Sequence, residues 1–428
     1  MIKRSFFALS KPKLTYDLLG YDPLGSDQKA PEAIPVPGTL TLLLPETIDS
    51  TKQALITPGD AVKKGDKIKL YEDGTDYVLS PVAGTITSFD SYADDFGNTA
   101  TYILIKPDPA RTGEDHTVAL DPEETVGFAD ANLRHLPGDL PFDALADENL
   151  RINTIVITGA DTDVLSTTCQ FVCTAYAEEM VEGAQILKRM CPRSNIVLTL
   201  PEKLHTQANF GTIQVLKTDD AYPSTLPAMV MKDHLHIELP AGKTPEDMGV
   251  CFIRAEALVS LARVFKTQSA VFEKVVTLID KAGKHHRLTA TLGTPLSKIF
   301  DRFNVHIHDR DRIIIGGPLR GFATYTPHHP VAPDMDMIIV QDNDAVTESS
   351  DTPCVNCGEC IRICPANIPV NLLVRFLEAD EYEEAADKYD LESCIECGLC
   401  AFVCKSRIPI YQYIRLGKHE LLALRAGA

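Results

Sequence analysis

Cys354-Val355-Asn356-Cys357-Gly358-Glu359-Cys360-Ile361-Arg362-Ile363-Cys364 and Cys394-Ile395-Glu396-Cys397-Gly398-Leu399-Cys400-Ala401-Phe402-Val403-Cys404 are two copies of one spacing. Each reads C-x2-C-x2-C-x3-C, the run in which three thiolates hold one [4Fe–4S] cube and the fourth reaches across to the other. On that rule Cys354, Cys357, Cys360 and Cys404 ligate one cluster, while Cys394, Cys397, Cys400 and Cys364 ligate the second. The chemistry implied is one-electron transfer. Two residues between ligands let successive thiolates converge on one small object, and Gly358 and Gly398 relieve crowding where backbone approaches inorganic sulfide. Paired all-cysteine zinc sites are the alternative, but zinc modules separate two C-x2-C pairs by a longer loop.

Working outward, Ile368-Pro369-Val370 follows the first motif and Ile408-Pro409-Ile410 the second, each leading into a helical stretch. A duplicated helical ferredoxin fits. Between them, 378–392 carries eight acidic residues against Lys388, read as a solvated helix face, the alternative being a docking surface for a basic partner. Pro365 follows the first motif but Lys405 the second, so a cation is expected beside the cluster that Cys404 ligates. The other cysteines (Cys169, Cys173, Cys191, Cys251) are scattered among apolar residues, and no signal peptide is read at the start. A reducing cytoplasm is expected, with Cys169 and Cys173 as packed core thiols.

The remaining chain is too long for a ferredoxin alone. At 428 residues, 44% apolar and 24% charged, it has core material for several domains. No run of eighteen apolar residues occurs, so no direct membrane span is expected. A formal charge of −19 argues against nucleic acid and against direct adsorption to anionic lipid. From Ile34 to about Lys106, short alternating segments are separated by Pro58-Gly59-Asp60, Lys64-Gly65-Asp66 and Pro81-Val82-Ala83-Gly84. This resembles a biotinyl/lipoyl-like barrel-sandwich, but with Thr87-Ser88-Phe89-Asp90 after Ile86 there is no lysine for a swinging arm, so a docking module is expected.

From about Asn149 to Thr267 the pattern is α/β: a buried strand in 154–160 ending at a glycine, an amphipathic helix over 170–190, and strands near 194–200 and 249–253. Asp161 and Asp163 follow a strand terminus, where a carboxylate either binds a ligand or caps the next helix. A compact β-rich unit follows, bearing Gly293-Thr294-Pro295 and Gly316-Gly317-Pro318-Leu319-Arg320-Gly321. Residues 324–351, with Pro327, Pro330 and Pro333, read as a linker. His306, His308, His328 and His329 near this junction match no standard metal-ligand spacing.

This order of parts resembles the RnfC family, peripheral iron–sulfur subunits of Rnf ion-translocating electron transport complexes. The resemblance implies a multidomain α/β and β chain: an N-terminal extension (1–33), a lipoyl-like barrel-sandwich (34–108) and an α/β domain like the flavin subunit of complex I (109–267). An SLBB-type β-grasp (268–323), the linker (324–351) and a helical two-[4Fe–4S] ferredoxin domain (352–428) complete it. It also implies an electron-relay subunit on the cytoplasmic face of the cell membrane, held there through membrane subunits. In the family, NADH reduces bound FMN before electrons reach the clusters.

Here the flavin motifs depart from the family. The glycine-rich loop G-x-G-G-A-x-F-P is replaced by Leu136-Pro137-Gly138-Asp139-Leu140-Pro141-Phe142, and G-A-E-C-E-P by Gly159-Ala160-Asp161-Thr162-Asp163-Val164. Y-P-x-G-G-E reads Tyr222-Pro223-Ser224-Thr225-Leu226-Pro227, and Arg254 stands where the family has asparagine. Gly138, Asp161 and Asp163 are the remnants of a flavin pocket, and FMN and NADH binding are expected to be weakened or absent. Electrons would then pass to or from a ferredoxin or a cytochrome. The alternatives are an active NADH:acceptor FMN flavoenzyme and a soluble cobalamin-reductase-like iron–sulfur protein.

Overall fold

The computed structural model describes residues 13–15, 30–49, 51–111, 134–147, 149–202, 209–346, 349–350 and 352–427. Most of the expected N-terminal extension lies outside them. Its described pieces are edge strands: Leu14–Thr15 pairs with Ala221–Tyr222, and Glu32–Ala33 with His285–Thr291.

The first module is built from alternation of apolar residues around turns. Leu40–Leu44, Thr99–Pro107, Gly84–Ala93 and Ala61–Val62 form one antiparallel sheet, and Lys67–Ile68 pairs with Val78–Leu79. Leu44, Ile68, Ile86, Ile103 and Ile105 are buried between them. Each such side chain contributes about 1.5–3 kcal/mol by leaving water. Asp60 and Asp66 close matching turns by accepting from the backbone N–H groups of Thr57 (2.6 Å) and Lys63 (2.7 Å). The tip of the long hairpin, 94–98, carries no lysine. Instead it rests on the last helix of the chain: Phe96 stacks on His419 (4.6 Å between ring centres), and Asp95 pairs with Arg415 at 2.6 Å.

The α/β domain has four parallel strands in the order Gln214–Thr218, Asn195–Pro201, Thr154–Thr158, Val250–Arg254. The central strand is buried on both faces, as its unbroken apolar run requires. The helical stretch expected over 170–190 is broken into Thr168–Ala175 and Ala177–Met190. Tyr176 leaves the helix, and its ring lies edge-on to Phe171 and under the Arg263 guanidinium. Ala177–Met190 packs closely on Ala255–Thr267, because Gly183 has no side chain: a Cβ there would stand 2.0 Å from the Leu258 carbonyl oxygen. Gly183→Ala is therefore expected to cost about 1–3 kcal/mol through overpacking, read as a lowered thermal midpoint.

The third unit is a mixed sheet in the order Phe322–Thr324, Arg312–Ile315, Met337–Gln341, Glu273–Ile279, His285–Thr291, Glu32–Ala33, with the helix Leu296–Arg302. Glu273–Ile279 and Met337–Gln341 are parallel neighbours at its centre. This corrects the reading of 324–351 as a linker. Met337-Ile338-Ile339-Val340 is an apolar run that fills the sheet centre, buried throughout, and the prolines belong to the crossover that delivers it.

The C-terminal unit is helical: Glu359–Ile363, Val370–Leu377, Tyr382–Tyr389, Leu399–Phe402 and Ile410–Gly427. Leu373, Val374, Leu377, Leu391, Ile408 and Ile414 form a core distinct from that of the rest of the chain. The acidic helix Tyr382–Tyr389 turns Ala385 inward and leaves Glu383 and Asp387 exposed.

Candidate metal centres

The duplication seen in the spacing is repeated in the backbone. Left-handed residues occur in matching pairs: Asn356 with Glu396, Gly358 with Gly398, and Asn367 with Arg407. In each copy the first two cysteines lie on extended or turning chain, a left-handed glycine reverses it, and the third cysteine enters a short helix. At Gly398 the demand is also steric, since a Cβ would stand 2.2 Å from the Leu319 carbonyl oxygen.

The structure sorts the eight thiols into two groups. Cys360 has Cys354, Cys357 and Cys404 as its neighbouring thiols, whereas Cys400 has Cys394, Cys397 and Cys364. The fourth cysteine of each copy thus lies with the other copy. All of the first group line one cavity, with Val355, Gly358, Asn371, Lys405 and Ile408. Burial, with the neighbouring thiols, pushes Cys360 and Cys394 up to about 11 and Cys397 to about 12. Held as thiolates, they need positive charge among them, which iron supplies. The donor sets fit clusters at both places, and the first set shares one cavity.

The two surroundings differ. Cys357 is exposed and Cys354 and Cys404 are partly so, placing the first group at the surface. The second group is walled in by the α/β domain and its neighbours: Cys397 shares an apolar cluster with Leu14, Val164, Tyr222, Leu226 and Leu319. Tyr222 donates its hydroxyl to the Cys397 carbonyl at 2.6 Å, and Lys418 donates to the Cys394 carbonyl at 2.7 Å while pairing with Glu396. Arg320 reaches the Glu396 carbonyl at 3.2 Å. Sequence reasoning missed Tyr222, Lys418 and Arg320 as neighbours of the second group, since long-range packing brings them there. Lys405 was found from its place after Cys404, and it lines the first cavity. Lys405→Gln should lower the potential of the first centre by tens of millivolts, on the order of 1–2 kcal/mol of lost charge stabilisation. A redox titration in which neither centre moves would contradict this.

At the C-terminal ends of the parallel strands, Gly138, Asp161 and Asp163 are engaged within the protein. Gly138 (φ +91°) is pressed on the start of the helix Ala255–Thr267, where a Cβ would stand 2.2 Å from the Ala257 nitrogen. Its N–H donates to the Pro333 carbonyl (2.8 Å), and that of Asp139 to the Leu136 carbonyl (2.9 Å). Asp161 accepts from Ser166 and from the Cys169 N–H (2.9 Å), so it caps the helix Thr168–Ala175. Burial and the charge of Asp336 raise its pKa. Asp163 accepts from the N–H groups of Arg320 (2.7 Å) and Leu319 (3.2 Å), and burial pushes it up to about 6. Gly317 makes room for it: a Cβ there would overlap the Asp163 carboxyl.

Cations at this end are also taken. Arg254 donates to Asp336 at 3.1 Å, and the fully buried Lys274 pairs with Asp336 (2.9 Å) and with Glu256. Burial opposes the Lys274 charge, but the two carboxylates raise its pKa. An incoming flavin phosphate would meet Asp139 and Asp334 beside Arg254, and N–H groups already bonded within the protein. Among the described residues, this lining does not fit FMN.

The four histidines do not assemble. His306 and His328 are exposed, His308 lies beside Lys281, and His329 is buried with its Nδ1 3.1 Å from the Tyr102 hydroxyl. Cys169 and Cys173 are core thiols, Cys169 donating to the Thr158 carbonyl.

Two family models match the chain: the RnfC barrel sandwich hybrid domain over residues 24–110, and the 4Fe-4S dicluster domain over 353–408. The C-terminal unit is therefore a dicluster domain for two [4Fe–4S] clusters. Proteins named as the C subunits of ion-translocating oxidoreductase complexes are similar over most of the chain. That of Edwardsiella ictaluri is 27% identical over 98% of this chain and 55% of its own length. Those of Vibrio cholerae (26%, 82% and 48%) and Pectobacterium carotovorum (25%, 83% and 50%) are comparable. The chain thus spans about half the length of the curated relatives it matches. Among solved structures, an NAD+-reducing [NiFe]-hydrogenase in the H2-reduced state aligns at 14% identity and a TM-score of 0.45, covering 72% of this chain and 62% of that one, a partial backbone likeness.

Proposed function

We propose that this chain, a divergent relative of the C subunits of ion-translocating oxidoreductase complexes, is the electron-relay subunit of such a complex and works without a flavin of its own. The observation that carries the reading is the pairing of two complete cysteine quartets with an α/β domain whose anion donors are spent internally. Cys354, Cys357, Cys360 and Cys404 would hold the first cluster, and Cys394, Cys397, Cys400 and Cys364 the second. Each cluster supplies reversible one-electron chemistry when bound. The protein's own residues set the two environments: Lys405 places a cation by the first, and Tyr222 and Lys418 fix the backbone carbonyls of Cys397 and Cys394 at the second.

Electrons would enter or leave at the first, surface-lying centre through a soluble ferredoxin or cytochrome, and cross the domain by way of the second. The mixed sheet, with Glu273–Ile279 and Met337–Gln341 parallel at the centre, is an SLBB-type β-grasp on this reading, and its Gly316–Gly321 loop ties Asp163 to the cluster domain. Among the described residues no helix is long and apolar enough to cross a membrane. Attachment to the cytoplasmic face would come through membrane subunits of the complex. Affinity purification of tagged chain from solubilised native membranes should bring polytopic membrane proteins with it in stoichiometric amount. Recovery of all the chain from the soluble fraction, alone, would contradict the assignment.

A further inference from the structure

The second quartet is covered by Tyr222, Val164, Leu226 and Leu319, so an outside protein meets the relay at the first quartet. There Cys357 is exposed and Val355 is 61% exposed. The charge around this opening runs against that of the whole chain. Lys405 lines the cavity and is exposed. Asn371 lines it too, and Arg375, one helical turn further along Val370–Leu377 and exposed, shares its face. Arg407 follows two residues after Lys405 and is exposed. Among the described residues none of these three cations makes an ion pair. Of the carboxylates nearby, Glu359 is engaged by Arg362 at 2.7 Å, and Glu378, three residues beyond Arg375 at the end of its helix, makes no ion pair with it. The acidic helix Tyr382–Tyr389 bears its exposed charge on Glu383 and Asp387, outside the residues that line the opening.

We propose that this rim, Val355 and Cys357 beside Lys405, with Arg375 one helical turn from Asn371 and Arg407 between the lining residues Ser406 and Ile408, is the docking surface for a soluble carrier protein that is acidic, and not for a basic one. The inference deepens the relay reading and rests on it. On a chain of formal charge −19, net repulsion opposes an acidic partner, so local unpaired cations favour both the partner's sign and its landing place. The apolar Val355 gives a small dry contact over the shortest route to the cluster. In the transfer the reduced carrier loses one electron and the oxidised cluster gains it.

The test is stopped-flow reduction of full-length, iron-loaded chain by a pre-reduced acidic [2Fe–2S] ferredoxin. The second-order rate should fall roughly tenfold or more between low and ~0.3 M salt, because such steering is screened within a Debye length. The double variant Arg375→Glu with Arg407→Glu, which leaves Lys405 in place, should lose about tenfold at low salt and converge with the unaltered protein at high salt. Its iron content should not change. Oxidation of the pre-reduced chain by cationic ferric cytochrome c should show the opposite response to the variant. A salt-independent ferredoxin rate, or equal rates for variant and unaltered protein, would overturn the docking surface while leaving the relay intact. Clusters that even dithionite cannot reduce would overturn the relay reading itself.

Discussion

Replacing Cys364 with alanine will remove the cluster built on Cys394, Cys397 and Cys400 and spare the one built on Cys354, Cys357 and Cys360. Sequence proximity alone argues the reverse, since Cys364 closes the first motif. The expected result follows from the fold: the short helix Glu359–Ile363 ends at Cys364, which turns its thiol toward Cys394, Cys397 and Cys400. Cys404 does the converse and lines the first cavity. Iron should fall from about eight to about four per chain, with one set of cluster signals lost on reduction. Cys404→Ala should remove the other set. Loss of the Cys354 cluster in the Cys364 variant would contradict the crossed arrangement.

The second large effect is expected at Asp336, which lies outside the cluster domain. Its carboxylate takes the Lys274 ammonium at 2.9 Å and the Arg254 guanidinium at 3.1 Å, and Lys274 has no exposed surface. Asp336→Ala would leave Lys274 with Glu256 alone and Arg254 without its partner. Breaking a buried pair from one side costs about 3–5 kcal/mol, because the remaining charge stays desolvated. Thermal unfolding followed by circular dichroism should show the loss in the α/β domain, while iron content is retained by the separate core of the cluster domain. A variant as stable as the unaltered protein would mean that this network is not what holds that end of the sheet closed.

The cluster domain was legible because its signal is local. Ligand spacing, the glycines and the Ile-Pro repeats all lie within a few residues of the chemistry, and the matched left-handed positions show that both copies fold alike. The barrel module was legible for the same reason, its turns being written in Gly59-Asp60 and Gly65-Asp66. What escaped was decided by distant partners. The prolines before Met337 suggested a linker, yet the apolar run after them pairs with Glu273–Ile279 from far up the chain. Periodicity could not show that Tyr176 breaks a helix to meet Arg263, nor that Tyr222 would donate to Cys397. Asp161 and Asp163 were correctly placed beyond a strand end, but whether they face a ligand or the protein depends on Ser166 and on the Gly316–Gly321 loop.

As proposed, the relay conducts through two clusters and holds no flavin. A cofactor inventory on anaerobically purified protein tests it most directly, with iron and sulfide per chain, flavin released on denaturation, and absorbance followed after NADH is added. The account predicts about eight irons, no flavin and no bleaching by NADH. The same iron content with stoichiometric FMN and rapid bleaching would contradict it, and would show that the strand ends around Gly138 and Arg254 open to a nucleotide.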